Sequence, residues 1–266
     1  ELALGAGHPL LVLNEDPFNS LLEDYAFALS HDRSRTVLGV GVGGPVDVRE
    51  RWSQLGRYAR TLKSRGLQNL PEILQGCNQP LFPPASGRVE ETAPVSSPVV
   101  RRLVDLARQA RSGQAAVVVC AGTLTDLASA WLLEPACSER LIAVLGVEGG
   151  YRCVAMDPWA AEIVLPRFRC VVLSRTYAMG LDPERFDRVR DPWWSQLPRK
   201  EGSKDLPLLA VATLPNLTTH VERSVCIRTG PGTFRFDPQP DGRIWLVKKI
   251  DTEALEREAI QTFFSP

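Results

Sequence analysis

The stretch LLVLNEDPFNSLLEDYAFAL, residues 10–29, joins an apolar run to a polar loop and a second apolar segment. The first run ends at Asn14-Glu15-Asp16-Pro17, and the acidic pair Glu23-Asp24 opens an amphipathic stretch. This order predicts a strand, a loop and a helix, with carboxylates at both ends of the loop. In an open α/β sheet such a junction lies at the carboxyl edge of the strands, where ligands bind.

The acidic residues of this loop suggest a binding site. Several carboxylates on one short loop repel each other unless a cation or bound hydroxyl groups compensate their charge. A site for a hard cation is therefore the first hypothesis for residues 14–24. The simpler alternative is a strand end, a solvated loop and an acidic helix start, since acidic side chains are favourable at a helix N-terminus.

Strand and helix patterns alternate along most of the remaining chain. Near-continuous apolar runs predict buried strands of a parallel sheet, and the segments between them carry helical spacing or helix-start residues such as Asp157-Pro158. A segment rich in Pro, Ser and Glu, from Gly76 to Pro98, is predicted to be a long loop. The predicted strands lie at 35–42, 70–74, 114–120, 141–145 and 168–173.

The last third of the chain has a different pattern. Residues 206–217 predict a helix, whereas 221–228 and 243–250 alternate in the β manner around a turn at Asp241-Gly242. A final helix is predicted from Asp251 to Phe264. We therefore predict one domain over residues 1–266, an open, mostly parallel, doubly wound α/β sheet with flanking helices and a small antiparallel β appendage near the C-terminus.

Composition excludes several function classes. Lys plus Arg and Asp plus Glu both number 31, so no net charge favours nucleic acid or an anionic membrane surface. No apolar stretch approaches the roughly 20 residues that span a bilayer, which indicates a soluble protein. The six cysteines form no C-x-x-C pair. This spacing favours buried thiols in a reducing compartment, such as the cytoplasm, over a zinc site or disulfides, and export after removal of a signal peptide stays open.

Four segments match, in order and spacing, the motifs of one enzyme family. They resemble a strand with the cluster D-T-D-P-G-x-D-D, a helix and strand ending in G-x-x-x-P-L, the turn G-P-L-T-N-L-A, and the helix start D-P-E-A-A-x-x-V. In this chain the segments are 11–17 with Glu23-Asp24, 55–81, 120–128 and 156–164. On these motifs the chain resembles the nucleoside hydrolases, also called inosine-uridine-preferring ribohydrolases.

The resemblance implies an open α/β fold that holds one calcium ion at the carboxyl edge and hydrolyses the N-glycosidic bond of ribonucleosides. Glu23 falls on the family's carboxylate that binds ribose hydroxyls, and Tyr151 and Cys153 stand at its substrate-binding glutamate and asparagine. Ala121 would supply a backbone carbonyl to the metal. By motif position, the implied metal ligands are Asn14, Asp16, Asp24, Ala121 and Asp205.

Some positions depart from the family's pattern. Asn14 stands where the family has an aspartate that binds the metal and serves as the base for water. An amide oxygen can coordinate calcium but cannot accept a proton from water at neutral pH. We therefore expect Asp16 or Glu15 to act as the base. Lys204 replaces the histidine that precedes the distal aspartate.

These departures leave two main functions open. The first is a glycosidase of altered specificity that acts on a nucleoside or a related glycoside, with calcium as its suspected cofactor. The second is a catalytically degenerate homologue that binds a sugar or nucleoside, or that has a structural or interaction role. An unrelated α/β enzyme is the remaining alternative. We expect a small-molecule partner and neither nucleic acid nor membrane, and the sequence leaves a homo-oligomer open.

Overall fold

The computed structural model of the chain describes residues 72–110, 115–147, 153–174, 206–255, 257 and 258, and also residue 4, the strands 10–14 and 37–42, and helical positions at 53, 56, 57, 60, 63 and 64. At 10–14, 37–42 and 206 it describes the backbone only. Within this part of the chain, nine strands form one sheet. They are β1 (Leu10–Asn14), β2 (Val37–Val42), β3 (Ile73–Gln75), β4 (Ala116–Cys120), β5 (Leu141–Gly146), β6 (Arg169–Leu173), β7 (Thr218–Gly230), β8 (Thr233–Pro238) and β9 (Ile244–Ile250).

The sheet is open and mostly parallel, which confirms the predicted fold class. Its order is β3-β2-β1-β4-β5-β6-β9-β7-β8, and every pairing from β3 to β9 is parallel. The chain moves from β1 through β2 to β3 on one side, and then returns to β4 on the other side of β1. The strand order therefore reverses between β1 and β4, so the carboxyl ends of these two strands border a topological switch point.

The central strands are buried on both faces, as expected for parallel strands between two helix layers. Every residue of β4 and β5 is buried. Successive side chains of a strand point to opposite faces. Ala116, Val118 and Cys120 accordingly belong to a core that also contains residues of the helices Pro98–Gln109, Thr125–Leu133 and Pro158–Arg167. The helix Leu206–Thr213 contacts both β4 and β5 without contributing to that core, which places it on the opposite face. The described helices are α1 (Pro98–Gln109), α2 (Thr125–Leu133), α3 (Cys137–Arg140), α4 (Cys153–Met156), α5 (Pro158–Arg167) and α6 (Leu206–Thr213), with 3₁₀ turns at Val89–Glu91 and Pro215–Leu217.

Most of α2 and the middle of α5 are buried on all sides rather than on one face. Residues 125–130 of α2 and 160–165 of α5 are all buried. Their outer surface is crossed by residues 89–97, which we call the covering segment. Its Val95 N–H donates to Ser129 Oγ of α2 at 3.1 Å, and its Thr92 Oγ1 accepts from Trp159 Nε1 of α5 at 3.0 Å. The predicted long loop therefore packs against the helix layer.

Strand β7 is longer than the predicted 221–228, β8 was not predicted, and β9 matches the predicted 243–250 to within one residue. All three are continuous with the main sheet. Strand β9 pairs in parallel with β6 and antiparallel with β7, so it connects the appendage to the sheet. Strand β7 pairs with β9 up to Ser224 and with β8 beyond it. The predicted helix at residues 206–217 is a helix to Thr213 followed by a 3₁₀ turn. The predicted terminal helix starts after Asp251, whose Oδ1 accepts from Ala254 N at 2.9 Å, and residues 259–266 lie outside the described part.

The β7–β8 hairpin folds over α5. Arg228 on β7 pairs with the buried Glu162 of α5 at 2.9 Å, and Glu162 Oε1 also accepts from the Gly232 N–H at 3.3 Å. Gly232 has a φ of 62°, and a Cβ added there would lie 2.8 Å from the Cβ of Pro158. The tip of the hairpin thus requires glycine for two reasons, a left-handed backbone and close contact with the first turn of α5.

At the opposite, amino edge of the sheet, three arginines donate hydrogen bonds to carbonyl groups at helix ends. Helices that follow parallel strands end at this edge and leave carbonyl groups without helical partners. Arg140, before β5, donates to the carbonyl of Ala110 that ends α1. Arg169, at the start of β6, donates to the carbonyl of Glu139 at 2.7 Å, and Arg243, before β9, donates to the carbonyl of Arg167 at 2.9 Å. Each arginine therefore caps a helix that precedes its strand in the chain.

Comparing Gly232→Ala with Gly87→Ala measures how tightly the hairpin packs on α5. Both glycines have positive φ, but a Cβ at Gly87 would meet nothing within 4 Å. We expect Gly87→Ala to lower the free energy of unfolding by about 1 kcal/mol through backbone strain alone. Gly232→Ala should cost a further ~1–3 kcal/mol because Pro158 must move. Urea denaturation of both variants is the measurement, and equal losses would mean that the hairpin tip does not pack on α5.

Candidate functional site

The switch point brings two of the predicted site residues to neighbouring strand ends. Asn14 is the last residue of β1, and Ala121 follows the last residue of β4. In the register of these strands Leu13 lies opposite Cys120, so the next positions, Asn14 and Ala121, lie side by side at the carboxyl edge. On its other side Asn14 pairs with Val42 at the end of β2.

Most of the other predicted site residues cannot be placed. For Asn14 the structure gives the backbone position without the side chain. Three assignments therefore stay predictions: the base, the ribose contacts including that of Tyr151, and the carboxylate ligands of the metal including the distal aspartate. The residues concerned, which lie outside the described part, are Glu15, Asp16, Glu23, Asp24, Tyr151 and Asp205.

Cys153 lies beside the end of β4. It is the first residue of α4 and is fully buried, and its thiol donates to the carbonyl oxygen of Cys120 at 3.3 Å. The side chain thus contacts the backbone next to Ala121, which places it at the correct edge of the sheet. None of the six cysteines, all within the described residues, forms a disulfide, and five are buried. The role of Cys153 in binding substrate stays a prediction.

A buried carboxylate joins three segments at the same edge. Asp157 has no exposed surface, and its Oδ1 accepts from the Ala160 N–H at 2.9 Å, which caps α5. Its Oδ2 accepts from Thr125 Oγ1 at 2.6 Å and from the Leu81 N–H at 2.9 Å. Thr125 opens α2, and Leu81 belongs to the loop that follows β3. One side chain therefore fixes the start of two helices and the loop between β3 and α1.

A second buried carboxylate holds the same loop from the other end. Asp126 is 1% exposed, and its Oδ1 accepts from Ser97 Oγ at 2.5 Å and from the Cys77 thiol at 3.1 Å. Its Oδ2 accepts from the Cys77 N–H at 3.0 Å. Ser97 in turn caps α1, since its hydroxyl oxygen accepts from the Val100 N–H. A buried polar group needs hydrogen bonds of this kind because burial has removed its bonds to water.

Sequence analysis identified Asp157 as a helix cap but missed its contacts with Leu81 and Thr125, and it assigned no role to Asp126. The only sequence signal is an acidic residue at a helix start among apolar neighbours. Such a residue is ordinarily exposed, and its burial here follows from packing against the long loop at residues 76–97, which supplies Cys77, Leu81 and Ser97 as partners.

Burial shifts the titration of Asp157. Burial raises the pKa of its carboxyl above the ordinary value, and hydrogen bonds, the first of them from Thr125, oppose the shift without cancelling it. The folded state therefore holds this proton more tightly than the unfolded state does. The resulting contribution to stability is complete below the ordinary carboxyl pKa and is lost as the pH rises through the raised pKa.

The described residues include neither a metal-binding cluster nor a helix that could span a membrane. They contain no group of three or more His, Cys, Asp and Glu side chains arranged to hold a metal ion. No helix among them is long and apolar enough to cross a bilayer. The acidic residues assigned to the metal, Asp16, Asp24 and Asp205, lie outside the described residues.

No protein-family model matches the sequence, and no curated protein matches it significantly. Solved structures are nevertheless similar over nearly the whole chain. An inosine-guanosine nucleoside hydrolase aligns with a TM-score of 0.70 at 14% identity, covering 97% of this chain and 99% of that chain. A purine-preferring ribonucleoside hydrolase from Gardnerella vaginalis gives 0.69 at 15% identity, with 95% and 97% covered.

A third solved structure gives the same result. The inosine-uridine preferring nucleoside hydrolase from Bacillus anthracis aligns with a TM-score of 0.65 at 15% identity, covering 96% of this chain and 98% of that chain. Likeness at this level of identity concerns the fold and says nothing about individual site residues. The chain therefore has the α/β fold of the nucleoside hydrolases.

The raised pKa of Asp157 predicts a pH-dependent stability term that Asp157→Asn removes. We expect the free energy of unfolding of the wild type minus that of the variant to decline as the pH rises from about 4, the ordinary carboxyl range. Urea denaturation at several pH values is the measurement. Ser129→Ala, which removes a buried hydroxyl and no titrating group, is the control and should give a constant difference. A difference that grows with pH would contradict the shift.

Proposed function

We propose that this protein hydrolyses the N-glycosidic bond of a ribonucleoside or a related glycoside, at a calcium site on the carboxyl edge of the sheet. The main support is the combination of a full-length nucleoside hydrolase fold with the adjacent positions of Asn14 and Ala121 at the switch point. In open α/β sheets this is where ligands bind. Both residues belong to motifs that resemble those of the family.

The proposed ligands suit calcium in their chemistry. Asn14 offers an amide oxygen, Ala121 a backbone carbonyl, and Asp16, Asp24 and Asp205 offer carboxylates, all of which are hard oxygen donors. The register of β1 and β4 makes Asn14 and Ala121 neighbours at the strand ends, which supports a shared ion. When bound, calcium would hold the ribose hydroxyls and polarise the attacking water.

The chain's own side chains would perform the remaining steps. Cleavage passes through an oxocarbenium-like state, so the carboxylates at this edge would stabilise positive charge on the sugar. Asp16 or Glu15 would accept the proton from the attacking water, because Asn14 cannot. Glu23 would bind ribose hydroxyls, and Tyr151 and Cys153 would border the sugar.

One alternative is favoured by particular observations. Asn14 replaces a carboxylate, and the thiol of Cys153 already donates to a backbone carbonyl at a position where the family has a ribose-binding amide. A homologue that lost its base and one ribose contact would keep the fold and bind a sugar or nucleoside without cleaving it. Loss of a general base alone commonly lowers the rate ~10²- to 10⁴-fold.

The metal part of the proposal is tested by calcium titration. We expect calcium to bind and to raise the melting temperature of the wild type. Asp24→Asn should weaken binding about tenfold or more, because a charged ligand is lost. Asp105→Asn, at an exposed position of α1, should leave binding unchanged. Calorimetry measures the affinity. A wild type that shows no heat of calcium binding and no change in melting temperature with calcium would refute the calcium site.

The catalytic part is tested by an assay for reducing sugar on a panel of purine and pyrimidine ribonucleosides. We expect activity that Asp16→Asn or Glu15→Gln lowers by ~10²-fold or more, whichever residue is the base. Asp105→Asn is again the matched control. Full activity in both Asp16→Asn and Asp24→Asn would remove the assignment. A wild type that binds nucleosides without releasing sugar would favour the alternative.

A further inference from the structure

We infer that Asp157 is a positioning residue of the candidate site, which fixes the turn at residues 121–125 and the loop at residues 76–81 in one arrangement. The inference rests on the proposed function, because the turn begins with the carbonyl of Ala121. Asp157 itself would not touch the ligand. It would act through Thr125 and through the backbone of Leu81.

The geometry of the hydrogen bonds supports this role. A single oxygen, Asp157 Oδ2, accepts from both Thr125 Oγ1 at 2.6 Å and the Leu81 N–H at 2.9 Å. The hydroxyl of Thr125 also lies 3.1 Å from that of Thr123. A continuous chain of polar contacts thus runs from the cap of α5 to within two residues of Ala121.

Burial makes these contacts specific. Asp157, Thr125 and Thr123 are respectively 0%, 1% and 3% exposed, so water does not compete for the bonds. Partners of this kind orient the groups that bind a ligand, and their loss typically lowers metal affinity by roughly 10- to 100-fold. Removing the Thr125 hydroxyl should therefore allow the turn at residues 121–125 to move. The resulting loss of ligand affinity should exceed what the loss of stability explains.

Helix α2 provides a matched control for stability. Ser129 lies on the same helix as Thr125, is fully buried, and accepts the Val95 N–H of the covering segment at 3.1 Å. Ser129→Ala therefore removes a buried hydroxyl contact between α2 and the same long loop. Its contact lies one turn further along the helix and does not involve the turn at 121–125.

The experiment compares Thr125→Val, Thr125→Ser, Thr123→Val and Ser129→Ala in the full chain. Titration calorimetry measures the affinities for calcium alone and for ribose, and urea denaturation measures stability. We expect Thr125→Val to weaken calcium binding about tenfold or more, and Thr125→Ser to restore it because the hydroxyl is kept. Ser129→Ala should lose stability and keep the wild-type affinity.

The outcomes separate this inference from the function on which it rests. If the wild type binds calcium and Thr125→Val binds as tightly as Ser129→Ala, the positioning role is wrong and the proposed function stands. If Thr125→Val does not fold, Thr123→Val decides, since its hydroxyl is nearer to Ala121, and unchanged affinity there overturns the inference. A wild type that binds neither calcium nor ribose overturns both.

Discussion

The arrangement of the carboxyl edge depends on the need of a buried carboxylate for hydrogen-bond donors. An ionised carboxyl group cannot leave water without partners that replace its hydration. Asp126 and Asp157 find those partners in segments that are far apart in the sequence, namely the loop after β3 and the starts of α1, α2 and α5. The hydrogen bonds that compensate the burial of each acid thus also hold distant segments together. Breaking either set of bonds would leave buried carboxyl oxygens without partners, so the loop and the helix starts keep their relative positions.

The covering segment and the β7–β8 hairpin explain why most of α2 and the middle of α5 are buried on all sides. A helix that faces solvent carries a polar stripe. These two helices instead lie between the sheet on one side and the covering segment or the hairpin on the other. Glu162 is the polar exception on α5, and its burial is compensated by Arg228 and the Gly232 N–H. On this face of the sheet, the helix layer therefore lies between the sheet and an outer layer made of the covering segment and the hairpin.

The sequence predicted those parts of the fold that leave a local pattern. Apolar runs identified β4, β5 and β6, and Asp157-Pro158 identified the start of α5. Strand β8 and its hairpin with β7 were missed because the turn at Gly232 carries no Asn-Gly or Asp-Gly signal, and β7 was predicted only over Val221–Arg228. For the candidate site, motif order predicted that Asn14 and Ala121 are neighbours. It could not predict that Asp157 Oδ2 accepts from both Leu81 and Thr125, because that contact depends on packing between distant segments.

Strand β9 lies between β6 and β7, although it is the last of the three to be synthesised. Until it is present, β7 and β8 have no backbone hydrogen-bonding partner in the parallel sheet among the described strands, and the edge of β6 stays open. The sheet is therefore closed by a late, long-range pairing, which is a slow kind of step in folding because a large loop must be ordered first. An exposed strand edge during that interval is also a site at which two incomplete chains can pair. The edge of β6 therefore stays exposed until residues 244–250 have been made and have paired with β6 and β7.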